Sequence, residues 1–168
     1  MPRFRKKTGS GDQTPQDVYA GLRWTALRSG RNGSFPRHDA HPDVYGLVTD
    51  FFENGNWVTV AALGDATTGM YTSTGGDATG AGGDAAVAAG SKRLLTIAQA
   101  HLTAFGAADD GGYPAYGTVR FHLLTGAAGR YADVPDGAFW GRDADPLKPV
   151  IAALQDVLTR MRQADARD

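Results

Sequence analysis

Cysteine is absent from the 168-residue chain, and with it go disulfides, thiolate-ligated zinc, iron–sulfur centres and any thiol nucleophile. Long apolar runs are missing too: no stretch approaches the roughly 20 residues that a membrane helix needs. Neither sign of charge is in excess. Lys plus Arg number 17 and Asp plus Glu 18, so the body offers no electrostatic footprint for a nucleic acid or another polyanion. The opening residues, MPRFRKKTGSGDQ, hold Arg3, Arg5, Lys6 and Lys7, but no apolar core of about 7 to 15 residues follows, so they do not read as a secretory signal. A cytoplasmic protein is expected, with neither membrane nor nucleic acid among its partners.

What is present suffices for one core, since 42% of residues are apolar. A single domain is expected over 14–162, between a disordered basic tail at 1–13 and a disordered tail at 163–168. Thr14-Pro15-Gln16-Asp17 combines an N-cap, a proline at the first helical position and an early acid, which starts a helix over 15–29. Val18 with Leu22 and Trp24 with Leu27 supply its apolar spacing, and Gly30 suits a left-handed cap. Two apolar, β-rich runs, 44–53 and 56–63, flank Asn54-Gly55. A type I′ turn needs positive φ at both central residues, so this is a hairpin that sets Phe52 opposite Trp57.

Side chains then sort by parity. One hairpin face collects Tyr45, Leu47, Phe51, Val58, Val60 and Ala62; the other collects Val48, Phe52, Trp57, Ala61 and Leu63 around Asp50 and Thr59. Two apolar faces require cover on both sides. A third strand is expected at 68–74, a long helix from Asp84 or Ala85 to Phe105, strands at 118–125 and 130–134, a short segment at Phe139-Trp140, and a last helix opened by Asp145-Pro146.

The expected fold is α/β: a three-layer sandwich with a central antiparallel sheet of about five strands, the long middle helix on one face and the N- and C-terminal helices on the other. That order, across 14–162, resembles the roadblock, longin and profilin-like group of folds. The segment TSTGGDATGAGG is similar to part of an uncharacterised bacterial protein family. The fold resemblance implies a domain that dimerises or docks on other proteins, small GTPases among them, and it brings no catalytic residues.

The chemistry-bearing residues agree with that. The repeated GDAT and the glycines of 64–83 lack the lysine of a Walker loop, and the order Gly80-Ala81-Gly82-Gly83 fits a dinucleotide fingerprint poorly, with no ribose-binding acid at the required distance. A helix start there still attracts anions, so a phosphate or nucleotide site at 75–84 using Gly80, Gly82 and Gly83 is the alternative reading. His38 and His41, with Asp39 and Asp43 between and beside them, are the ligand types for zinc, nickel or manganese. Ser73 lies in no nucleophile elbow, and His101 and His122 read as histidines at the core rim. The carboxylates are dispersed, so neither catalytic residues nor a cofactor are expected. Phe52 and Trp57 are candidates for a recognition patch, and the small-residue run 85–90, centred on Ala89, for a homodimer contact. A protein-interaction or regulatory domain is therefore the leading expectation.

Overall fold

The computed structural model describes residues 13–31, 33–75, 77–78, 83–126 and 128–167. Helix α1 spans Pro15–Arg28, and its start is closed by a capping box in which Thr14 and Asp17 exchange hydrogen bonds. Strands β1 (Val44–Glu53) and β2 (Asn56–Leu63) form the hairpin, with Asn54 at φ 51° and Gly55 at φ 80°, and with Glu53, Phe52 and Phe51 opposite Asn56, Trp57 and Val58. β3 (Thr68–Thr72) and the two-residue β4 (Asp77–Ala78) extend the sheet on the β2 side. After α2 (Ala85–Ala100) and a 3-10 turn at Leu102–Ala104 come β5 (Ala107–Ala108), β6 (Thr118–Thr125), β7 (Arg130–Pro135), the single-turn α3 (Asp136–Phe139) and α4 (Lys148–Asp165). The sheet is antiparallel throughout, in the order β4-β3-β2-β1-β6-β7-β5, so β1 lies at its centre.

Helices cover both faces, as two apolar faces demand. On one side Leu47, Phe51, Val60, Phe121 and Leu123 pack with Val87, Leu94 and Leu95 of α2 and with Val150, Leu154 and Val157 of α4. On the other, α1 alone lays Tyr19, Ala26 and Leu27 over Val48, Ala61, Leu63 and Leu124. The C-terminal helix thus shares the face of the middle helix rather than that of α1. The reason is local: β7 runs directly into α3, whose Phe139 is buried in the α2-side core, and this commits the following chain to that face. The small residues of α2 serve the resulting contact, for a Cβ on Gly90 would lie 2.9 Å from Arg160 Cδ and 3.4 Å from Val157 Cγ2 of α4.

Four further expectations shift. The pairing of β1 with β6 slips between Val44 and Gly46, a bulge that moves Tyr45 onto the α1 face, off the face that parity assigned it. The buried stripe of α1 is Tyr19, Arg23, Ala26 and Leu27, whereas Val18 and Trp24 are exposed. Phe139-Trp140 closes a helical turn instead of forming a strand. At the chain end, helix continues past residue 162 to Asp165, and Arg167 donates to Asp84 at 2.6 Å. The basic tail, up to residue 12, lies outside the described residues.

Candidate functional site

The α1 face of the central strand carries a charge where the pattern is otherwise apolar. Asp50 faces Thr59 across the hairpin, and Thr59 Oγ1 donates to Asp50 Oδ1 at 2.6 Å. Because that donation uses the only hydroxyl hydrogen of Thr59, the Tyr19 phenol must donate in the 2.8 Å contact between them. Asp50 Oδ2 accepts from Arg23 Nε at 3.0 Å and Nη2 at 2.7 Å, and it lies 2.8 Å from His122 Nε2. The other ring nitrogen, His122 Nδ1, meets Asp109 Oδ2 at 2.7 Å. Carboxylates accept only, so a ring bonded to one at each nitrogen is an imidazolium. The pairs Arg23 with Asp50 and His122 with Asp109 then leave the cluster electrically neutral.

The titration directions follow from this packing. Burial alone would raise the Asp50 carboxyl, but hydrogen bonds from His122 and Arg23 outweigh it and hold the group below the usual carboxylate range. Asp109 is lowered in the same way: burial pushes it up, and the hydrogen bond from His122 prevails. Burial would lower His122, yet its bonds to Asp109 and Asp50 raise it above an ordinary histidine. Asp50, Thr59 and His122 are each 0% exposed. A cluster so closed, with its acceptors taken, holds parts together rather than admitting a substrate: it ties α1, β1, β2 and β6 to the loop between β5 and β6.

That loop leads to the surface. Arg23 Nη2 also donates to Gly111 O at 2.8 Å, and its guanidinium lies 3.9 Å from the centre of the Tyr113 ring. Asp109 and Asp110 close Asx turns onto the amides of Gly111 and Gly112, and Arg120 reaches Gly112 O at 3.3 Å. So anchored, Tyr113 and Tyr116 are presented to the tip of the hairpin. Trp57 lies 5.3 Å from Phe52, 4.8 Å from Tyr113 and 5.7 Å from Tyr116, and Phe52 lies 4.8 Å from Tyr116. The rings remain open to solvent, at 39% for Phe52, 42% for Tyr113 and 73% for Tyr116. Trp24 of α1, 53% exposed, approaches the same loop at Gly111.

The structure therefore joins Phe52 and Trp57, as the hairpin register foretold, and adds two tyrosines that sequence reading left in an unassigned loop. Their only signal was the GGYPAYG segment, two aromatics around a rigid Pro114. Arg23 was also missed, though it lies four residues after Tyr19 and four before Leu27, a charge set within the apolar stripe.

The remaining candidates lie elsewhere. Gly80 and Gly82 fall outside the described residues; Gly83 is exposed, with open space around its Cα. Immediately after it, Asp84 caps α2 by accepting from the amides of Ala86 at 2.9 Å and Val87 at 3.1 Å. His38 and His41 stack with ring centres 4.6 Å apart and planes inclined by 16°, and His41 Nδ1 donates to Val44 O at 2.8 Å. Among the described residues no group of three or more His, Asp or Glu side chains is placed to hold a metal ion. Ala89 is exposed on α2. No helix among the described residues is long and apolar enough to cross a membrane. No family model, curated protein or solved structure matches the chain.

Proposed function

We propose that this chain is a protein-interaction domain without catalysis of its own, and that the cluster Phe52, Trp57, Tyr113 and Tyr116 is its recognition surface. The observation that carries the reading is that Phe52, Tyr113 and Tyr116 stay exposed while packed around a half-buried Trp57 over a neutral buried clamp. Exposed aromatics in contact present a large apolar area at little entropic cost, because their rotamers are already fixed by each other. The neighbours along the chain, Asn54, Gly55, Asn56, Pro114, Ala115 and Gly117, carry no charge; Glu53 brings one, and the Arg23 guanidinium, against Tyr113, is paired with Asp50. Recognition here is therefore apolar, with the Trp57 indole and Tyr116 phenol as hydrogen-bond donors at its edge.

A partner segment in the extended polyproline conformation suits such a surface. Its proline rings fit slots between tilted aromatics, its carbonyls are free to accept, and it is ordered before binding. The phosphate or nucleotide alternative has less behind it, since the Ala86 and Val87 amides are occupied by Asp84. The test is a titration of the protein with a decaproline peptide, followed by tryptophan fluorescence. Saturable binding that falls at least about tenfold in Tyr116→Ala supports the reading. A flat titration, or one that Tyr116→Ala leaves unchanged, refutes it. Tyr116 is exposed enough that its removal should alter stability by no more than about 0.5 kcal/mol, which keeps the comparison clean.

A further inference from the structure

The aromatic surface does not end at Tyr113. A Cβ placed on Gly111 would lie 3.8 Å from Trp24 Cζ3, so the exposed indole of α1 continues the row of rings across the backbone of the loop that carries Tyr113. Arg28, one helical turn further along α1, sets its guanidinium carbon 5.3 Å from the centre of the Trp24 ring. A cation therefore stands at the end of the row. Apart from this ring contact the Arg28 side chain has no hydrogen bond or ion pair among the described residues, whereas Arg23, Arg120, Arg142, Arg160 and Arg167 each pair with a carboxylate.

Arg28 and Trp24 line a cleft of about 390 Å³ together with Thr25, Ser29, Gly30 and Ser34, and none of these residues carries a negative charge. Thr25 and Ser29 donate their hydroxyls to the helix carbonyls of Gly21 and Thr25, both at 2.9 Å. Arg28 is thus the one charged donor in the lining. Asp110, which precedes Gly111 in the loop, is committed to the other side: it accepts from the Gly112 amide at 2.9 Å, and its charge supports Arg120. A guanidinium has five N–H donors and no acceptor, and its fork matches the two oxygens of a carboxylate. We infer that the partner is an acidic, proline-rich segment, whose prolines lie on the rings from Phe52 to Tyr113 and whose carboxylate, beyond one end of the prolines, pairs with Arg28 beside Trp24. The inference rests on the aromatic cluster as the recognition surface and adds the charge of what it recognises and the place of that charge.

The experiment is a fluorescence and NMR titration of the full chain with end-blocked peptides: decaproline, decaproline preceded by Glu-Glu, and decaproline followed by Glu-Glu, with Gln-Gln and Lys-Lys peptides as controls. One of the two acidic peptides should bind at least about threefold more tightly than its Gln-Gln control at low salt, the scale of an exposed ion pair beside the negative end of a helix dipole. The advantage should vanish in about 1 M NaCl. Arg28 is exposed, so Arg28→Gln should leave the fold and decaproline binding unchanged while erasing the advantage. Among the three indole signals, the favoured acidic peptide should move that of Trp24 as well as that of Trp57. If decaproline binds but neither acidic peptide exceeds its control, if the Lys-Lys peptides bind more tightly, or if the advantage survives Arg28→Gln, this inference is overturned while the aromatic surface stands. If no peptide binds, the surface itself is refuted and the inference falls with it.

Discussion

Asp50 is the residue on which most of the α1 face depends, because four side-chain donors from Arg23, Thr59 and His122 converge on its two oxygens. Asp50→Asn would leave the Arg23 guanidinium buried without its counter-charge and take from the His122 imidazolium one of its two carboxylates. A loss of about 3–5 kcal/mol is expected in urea unfolding. The pH dependence has a definite sign. His122 titrates higher in the folded protein than its ordinary 6.5, so its contribution is complete below that pH and disappears as pH rises through the raised folded value. Asp50 and Asp109 titrate below the ordinary 3.8, so their contribution is complete above that pH and is lost as pH falls through the lowered values. Stability should therefore form a plateau between these limits, and Asp109→Asn, by removing one support of the imidazolium, should bring the end of the alkaline decline to lower pH. The decline should begin near 6.5 in both proteins and end at lower pH, with smaller amplitude, in Asp109→Asn; a decline of unchanged end and amplitude would contradict the imidazolium assignment. A contrary case is Thr49 on the opposite face, fully buried with no hydrogen-bond partner for its hydroxyl among the described residues. Thr49→Val keeps the shape and removes the unsatisfied group, and it should raise stability by about 1 kcal/mol, read from the urea midpoint at unchanged slope.

Among the elements, the β1–β2 hairpin both centres the sheet and carries half of the aromatic surface. Its turn holds Gly55 at φ 80° with open space around its Cα, so Gly55→Ala tests the backbone alone. A cost of about 1–2 kcal/mol is expected, with Phe52 and Trp57 still in register; a neutral substitution would mean that the type I′ turn is not maintained in solution. This hairpin was legible because its register is fixed by two adjacent residues, Asn54 and Gly55. The same holds for the start of α1, written in Thr14, Pro15 and Asp17, and for β6, written in alternation. What was not legible depended on partners far along the chain. The burial of Arg23 is explained only by Asp50, 27 positions away, and that of His122 by Asp50, 72 positions away. Tyr45 changed face because a bulge opposite β6 breaks parity, and the side chosen by α4 was open because both sheet faces are apolar. Tyr113 and Tyr116 lay in a loop without periodicity, and only its anchoring by Arg23 and Arg120 brings them to Trp57.

At the level of the whole molecule, the sandwich places its clamp and aromatic surface on the α1 side and its larger core between α2 and α4. Self-association through the outer side of α2 remains our proposal for this second side, motivated by exposed Ala89 beside the contact with α4. Sedimentation at high micromolar concentration should report a dimer that Ala89→Glu weakens; a monomer would dismiss it, and a dimer indifferent to Ala89→Glu would transfer the contact to a sheet edge. The central claim, recognition by the aromatic cluster, is tested most directly by backbone and side-chain NMR shift mapping with a decaproline peptide. The account predicts that perturbations concentrate on Phe52, Trp57, Tyr113 and Tyr116 and are lost in Trp57→Ala while the rest of the spectrum is retained; perturbations centred elsewhere, or none at saturating peptide, would contradict it.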